Sequence, residues 1–174
     1  MAESDRFESR RLVIEKMQAS DFAFMKEILN SEGFLKFIGD RNVRTDEEAK
    51  LYIERTLKNK NIQYWIAKLK SDRTSIGLVS FVKRDYLPCH DVGFAFLPQY
   101  MKQGYAFEAT AALLRKILPD YKGEQVLATT NKNNVSSIKL LEKLGLIFQK
   151  KIENNKKILD VYAADAVKLA AVDK

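Results

Sequence analysis

The sequence predicts a mixed α/β fold built on a mostly antiparallel sheet. Three observations carry this. Strand-like and helix-like periodicities alternate in the order β-α-α-β-β-β-α-β-α-β-β. The run of three strands and the terminal pair are joined by short turns, which only antiparallel neighbours can share. The β-α-β unit over residues 91–130 requires one parallel pair within the same sheet.

The elements follow in chain order. Arg11–Met17 alternates as a first strand, and Ser20 or Asp21 is placed to cap a helix carrying Phe22, Met25, Ile28 and Leu29, ended by Gly33. Thr45-Asp-Glu-Glu48 is a capping box, followed by the stripe Ala49, Tyr52, Ile53, Thr56 and Leu57. Gln63–Leu69 and Ser75–Lys83 are strands separated by the turn Ser71-Asp72-Arg73. Asp85–Pro88 turns the chain into a fourth strand, Asp91–Leu97, stopped by Pro98. Gly104 opens a long helix with Ala106, Ala109, Leu113 and Ile117 on one stripe, and Pro119 ends it. After the strand Gln125–Thr130, Val135, Ile138, Leu141 and Leu144 form an amphipathic helix closed by Gly145. Leu146–Ile152 and Lys157–Ala164 are the last strands, with Glu153-Asn-Asn155 as the hairpin turn.

At 174 residues the chain has the length of about one domain. Hydrophobic residues make up 46%, which argues for a packed core over disorder. A single cysteine, Cys89, excludes a disulfide framework or a CxxC zinc cluster, and a single histidine, His90, excludes multi-histidine metal sites. No apolar run approaches the ~18 residues of a membrane helix. The start Met-Ala-Glu-Ser-Asp-Arg lacks the apolar stretch of a signal peptide, so the expectation is a reduced, cytoplasmic protein without a membrane partner. The net charge of +7 is spread evenly, +3 over residues 1–87 and +4 over residues 88–174. It favours an anionic partner without naming one.

Two stretches carry chemistry. In Asp91–Ala109 a strand runs through a tight loop directly into a helix, whose free N–H groups and dipole make an anion site suited to a pyrophosphate. Lys102 adds a cation to that loop. In Ala128–Gly145, Asn134 is an N-cap and Ser137 lies one turn inside the helix.

Together these stretches resemble the GNAT superfamily of acetyl-CoA-dependent N-acetyltransferases, almost end to end, so that residues 1–174 read as a single N-acetyltransferase domain. The branch most similar is that of the ribosomal-protein N-terminal acetyltransferases. Ser9-Arg-Arg-Leu12 is similar to its opening T-x-R-L strand, and Val92-Gly-Phe94 to its I-G-Y. Gln99–Gly104 followed by Tyr-Ala resembles the acyl-CoA loop Q/R-x-x-G-x-G/A, with Glu108-Ala109 matching the E-A beyond it. Asn134-x-x-Ser137-Ile and Leu141-Glu-Lys-Leu-Gly145 match the block N-x-x-S-I … L-E-K-L-G-F, with Leu146 in place of the last Phe. The loop departs from the family at Lys102, where a glycine is usual. A glycine there allows φ > 0, so the backbone angle at residue 102 decides what the lysine does to donor binding.

The resemblance implies a GNAT-like sheet with a V-shaped splay and helices on both faces. It implies transfer of acetyl from acetyl-CoA to a primary amine, small molecule or protein N-terminus, by direct attack in a ternary complex, with no metal. The amine must be neutral when it attacks, so a base or water chain takes a proton. Asp91 is the candidate, against the alternative of a solvated carboxylate at a strand end. The oxyanion needs donors, expected from the backbone at Phe96 and Leu97. The leaving thiolate needs a proton or hydrogen bond, for which Ser137 is the first candidate and Tyr162 the second. The N–H groups of Lys102, Gln103, Gly104, Tyr105, Ala106 and Phe107, with Gln99 in the same loop, are implied to hold the diphosphate, and Asn134 the pantetheine arm or its neighbouring backbone. Glu108 reads either as a charge partner at the helix start or as a packing residue. Adjacent in a strand, Cys89 and His90 point to opposite faces, which argues against a Cys–His nucleophile. Trp65, Phe34, Phe37 and Tyr86 are candidates for the acceptor side. A catalytically silent acyl-CoA-binding or protein-interaction module on the same fold remains an alternative, and a homodimer is possible. Nucleic-acid binding is suggested only by charge, with no aromatic-basic motif or helix-turn-helix.

Overall fold

The computed structural model describes residues 5–170. Eight strands form one sheet: β1 (Arg6–Glu8), β2 (Leu12–Lys16), β3 (Ile62–Leu69), β4 (Ser75–Val82), β5 (Asp91–Phe96), β6 (Gln125–Thr130), β7 (Ile147–Asn154) and β8 (Lys157–Asp165). Their spatial order is β1-β2-β3-β4-β5-β6-β8-β7. Every pair is antiparallel except β5 and β6, the pair bridged by the long helix. The mixed sheet expected from the sequence is the one observed.

Helices cover both faces. α1 (Phe22–Leu29), α2 (Glu32–Phe37) and α3 (Asp46–Lys58) lie on one. Their Phe24, Met25, Ile28, Phe34, Ala49 and Ile53 pack on Met17, Ile66, Leu78 and Leu97 of the sheet side. α4 (Tyr105–Ile117), α5 (Val135–Leu144) and α6 (Ala166–Ala170) lie on the other. There Ala109, Leu113, Leu141 and Leu144 meet Ile14, Trp65, Phe81, Val92, Phe96, Val126 and Ala128. Burying one such side chain contributes roughly 1.5–3 kcal/mol, so the two apolar layers fix both helix sets against the sheet.

Local chemistry sets the helix ends. The Thr45 hydroxyl accepts from the Glu48 N–H at 3.1 Å, and the Glu48 carboxylate accepts from the Thr45 N–H at 3.0 Å, which closes the expected capping box on α3. Gly145 takes φ +100° after α5, and the Leu146 N–H reaches back to the Leu141 carbonyl at 3.0 Å. The β7–β8 hairpin turns on Asn155 and Lys156, at φ +49° and +62°, the pair of left-handed residues a two-residue turn requires.

Three elements differ from the sequence reading. β1 is an added strand, too short to show a period of its own. Gly33 does not end the first helix. The break falls at Asn30–Ser31, and Gly33 lies inside α2, whose Phe34 is anchored in the core at 5% exposure. Glycine inside a helix costs about 1 kcal/mol, less than that anchor supplies. α6 continues directly from β8 with Ala166 and Leu169 buried, a stripe too short to announce itself.

Candidate active site

The site is organised by β5. Along its whole length β5 pairs with β4, from Gly77↔Phe96 to Val82↔Asp91. Toward β6 it makes one register pair, Asp91↔Leu127, with the Leu127 N–H donating to the His90 carbonyl at 3.0 Å. Beyond that pair the two strands part, and a V opens toward their C-terminal ends. The Leu97 N–H donates to the Ile76 carbonyl at 3.0 Å. That bond fixes the alternation of the ladder: the amides of Leu97, Ala95 and Gly93 face β4, and those of Phe96 and Phe94 face the gap. The expected backbone donor at Phe96 and Leu97 therefore narrows to Phe96. The Leu97 N–H is spent in the sheet, and its side chain is buried beneath α1–α3. The Phe96 ring lies over Gly77, where a Cβ would meet it at 2.3 Å, so only glycine leaves room for the ring.

After β5 the chain makes a single helical turn, Pro98–Tyr100, and enters α4 through an exposed loop. Lys102 has φ +59° and Gly104 φ +82°. The position where a glycine is usual thus keeps the glycine-like backbone, at a cost of about 1–2 kcal/mol for a lysine. The Glu108 N–H is bonded to the Gly104 carbonyl at 3.0 Å, which leaves the amides of Tyr105, Ala106 and Phe107 ahead of it without intrahelical acceptors. Gln103 donates from its side chain to the Gln99 carbonyl at 2.9 Å, tying the loop to itself. The one carboxylate of the first turn, Glu108, is paired with Arg11 at 2.7 Å. Open amides, an exposed lysine and no uncompensated acid fit a diphosphate.

At the vertex of the V, Asp91 is 3% exposed. Its Oδ2 accepts from Arg84 Nε at 2.7 Å, while Oδ1 is enclosed without a hydrogen-bond partner. Burial pushes this carboxyl above the usual range, against the pull of the Arg84 guanidinium and the neighbouring Thr129 hydroxyl. An orphaned buried carboxylate oxygen costs about 1–3 kcal/mol or more, and such groups concentrate where a protein needs a reactive acid or base. Arg84 was absent from the sequence reading. Its signal lay in the hairpin, because Val82 opposite Asp91 carries the next residues back over the carboxylate.

On α5, the Asn134 side-chain oxygen accepts from the Ser137 N–H at 3.3 Å. The cap uses that oxygen and leaves the amide NH₂ available. Ser137 is half-buried on the first turn. Tyr162 lies in the core with Ala128, Leu141 and Leu144, its ring edge-on to Phe148 at 5.9 Å. Burial, then Asp160 and Glu142, push its phenol upward.

The remaining candidates separate. His90 stacks on Phe81 at 4.8 Å and meets the Tyr121 ring edge-on at 5.3 Å, whereas Cys89 packs with Leu87, Leu127 and Val161 and also interacts with Tyr121; both lie in the loop before β5, so the expected alternation of a strand does not separate them. Trp65 is buried in the layer beneath α4 and α5. Phe34 is a core residue under α1–α3, Phe37 is half-buried, and Tyr86 is exposed. Tyr52, expected on the apolar stripe of its helix, brings its hydroxyl to 3.4 Å from that of Tyr64 between α3 and β3. Among the described residues no helix is long and apolar enough to cross a membrane, and no cluster of three or more His, Cys, Asp or Glu is placed to hold a metal.

Comparison with known proteins agrees with this geometry. The chain is 26% identical over 138 residues to an uncharacterised N-acetyltransferase, YnaD, of Bacillus subtilis (strain 168), covering 79% of this chain and 80% of that one. The fold matches a ribosomal-protein-S5-alanine acetyltransferase from Vibrio fischeri with a TM-score of 0.77 at 16% identity, over 92% of this chain and 96% of the other. It matches a spermidine N-acetyltransferase from Vibrio cholerae, solved with CoA and spermine, with a TM-score of 0.77 at 12% identity, over 91% and 98%. The sequence profile of the acetyltransferase (GNAT) domain matches residues 11–147, and the chain therefore belongs to the GNAT family of acetyltransferases, enzymes that transfer an acetyl group to an amine.

Proposed function

We propose that this enzyme acetylates a primary amine, of a small molecule or a protein N-terminus, by direct attack on acetyl-CoA held in the V between β5 and β6. The observation that carries the reading is the parting of those strands after the single pair Asp91↔Leu127, with the open N-terminus of α4 at the far end of the same strand. Acetyl-CoA supplies an activated acyl carbon, on which a C–N bond forms as the C–S bond breaks.

Each of the chain's groups then has a task. The amides of Lys102 to Phe107 bind the diphosphate. The Phe96 N–H, turned into the gap, donates to the oxyanion that develops on the acyl carbon. Asp91, at the other end of β5 and roughly 16 Å along the strand from the Phe96 donor, takes the amine's proton through a chain of waters; its raised pKa brings it nearer the range in which a carboxylate is an effective base. The Ser137 hydroxyl donates to the departing sulfur, and the Asn134 amide holds the pantetheine arm. Tyr162, enclosed by Phe148 and the core under α5, serves as a wall of the site rather than as the proton donor. Placement with the ribosomal-protein branch is supported by the Asn134–Gly145 block.

The test is a melting curve with acetyl-CoA, followed by thiol release across a panel of amine classes. A saturable rise in Tm and release with at least one primary amine are expected. No change in Tm with millimolar acyl-CoA would end the donor assignment.

A further inference from the structure

The donor loop is exposed, strained at Lys102, and has little apolar anchorage of its own. What holds it comes from elsewhere in the chain. Arg11, at the turn between β1 and β2, reaches across to α4. Its Nε donates to Glu108 Oε2 at 2.7 Å and its Nη2 to the Gln103 carbonyl at 3.0 Å. Its backbone N–H donates to Glu108 Oε1 at 2.6 Å, and the Ser9 hydroxyl adds a bond to the same oxygen at 2.7 Å. The guanidinium lies 4.1 Å from the centre of the Tyr105 ring, and Nη2 would be 3.4 Å from a Cβ placed on Gly104. One side chain thus joins the Gln103 carbonyl of the loop, the first aromatic residue of the helix and the carboxylate of its first turn.

The electrostatics give this a purpose beyond mechanical support. A carboxylate in the first turn suits the helix dipole but repels a diphosphate bound at the same end. The Arg11 guanidinium neutralises Glu108 while its planar fork spans two acceptors, a task a lysine ammonium cannot copy. We propose that Arg11, locked by Glu108, is a positioning residue for the acyl donor: it fixes the diphosphate loop and cancels the one charge that would oppose the diphosphate. This rests on the acetyl-CoA reading of the same loop.

The experiment compares CoA with pantetheine, which lacks the diphosphate, by calorimetry and ligand-observed NMR on the wild type, Arg11→Ala and Arg11→Ala/Glu108→Gln. In Arg11→Ala the Kd for CoA is expected to rise about tenfold or more, the factor for losing a charge-assisted hydrogen bond. The Kd for pantetheine is expected to stay the same. The double variant, relieved of the uncompensated carboxylate, is expected to recover part of the CoA affinity. Should Arg11→Ala not fold, Arg11→Lys carries the same comparison, with CoA again weakened selectively. Equal losses for CoA and pantetheine, or an unchanged CoA affinity, would overturn the proposal alone. A wild type that binds neither compound would overturn the donor reading and this proposal with it.

Discussion

Two carboxylates stand at the two ends of the site, and the contrast between them separates chemistry from scaffolding. Both are desolvated, and for both burial is the largest influence on the carboxyl, pushing it up. Glu108 outweighs this with the Arg11 N–H, the Ser9 hydroxyl and the Arg11 guanidinium, and its carboxyl falls below the ordinary value of 4.5. Asp91, more deeply enclosed, has one guanidinium and the neighbouring Thr129 hydroxyl, and its carboxyl rises above the ordinary value of 3.8. Deeper burial with fewer donors leaves Asp91 ready to take a proton, and shallower burial with more donors fixes Glu108 in its charged form. The lesson is that Glu108 belongs to the frame of the donor loop and Asp91 to the reaction.

The largest effect expected from breaking this contrast is on turnover. Asp91→Asn keeps shape and burial but removes the base, and kcat is expected to fall roughly 10²-fold or more at pH 7, with Kd for acetyl-CoA unchanged, in steady-state and binding assays. The same replacement at the other end, Glu108→Gln, should leave most of kcat and instead cost about 1–3 kcal/mol of stability at pH 7 by chemical denaturation.

The pH dependence of stability sharpens the contrast further, because the two groups carry opposite signs. Glu108 binds its proton less readily folded than unfolded, so the stability it supplies is present above about 4.5 and lost as pH falls through its depressed folded value. Asp91 binds its proton more readily folded, so its ionisation opposes folding above its raised value and its contribution becomes more favourable as pH falls through that value. Unfolding free energies compared at pH 7 and at pH 3 should therefore drop less in Glu108→Gln than in the wild type, and more in Asp91→Asn. Identical pH slopes in all three proteins would remove the distinction.

The smallest effect concerns Lys102. Its left-handed backbone is the one a glycine would adopt freely. Lys102→Gly relieves about 1–2 kcal/mol of strain but returns entropy to the unfolded chain, so the net stability change should stay within roughly 1 kcal/mol. Loss of one exposed cation near the diphosphate should weaken acetyl-CoA binding by no more than about fivefold. A hundredfold loss would make the lysine itself the diphosphate ligand.

Much of this arrangement could be read from residue order. The capping box at Thr45–Glu48, the Gly145 stop and the strand-loop-helix over residues 91–109 each depend on neighbours in sequence, and each formed as expected. The positions of Gly104, Asn134 and Ser137 followed from the same local signals. What escaped the sequence depends on contacts made across the fold. Arg11 meets Glu108 over a separation of 97 residues, and nothing near either one announces it. Arg84 reaches Asp91 through the register of a hairpin, which pattern alone does not fix. Leu97 lost its proposed role to a single ladder bond with Ile76, since alternation is set by the partner strand. Gly33 misled because an anchored Phe34 outweighs a weak local preference.

Donor binding depends on an open strand edge in the V, and backbone hydrogen exchange at Phe94, Phe96 and Leu97 tests it most directly. In the free enzyme the amides of Phe94 and Phe96 should exchange fast and that of Leu97 slowly. Acetyl-CoA should slow Phe96 and the amides from Gly104 to Phe107 while leaving Leu97 as it was. Slow exchange at Phe96 without donor, or no change there at saturating acetyl-CoA, would contradict the claim that this strand edge receives it.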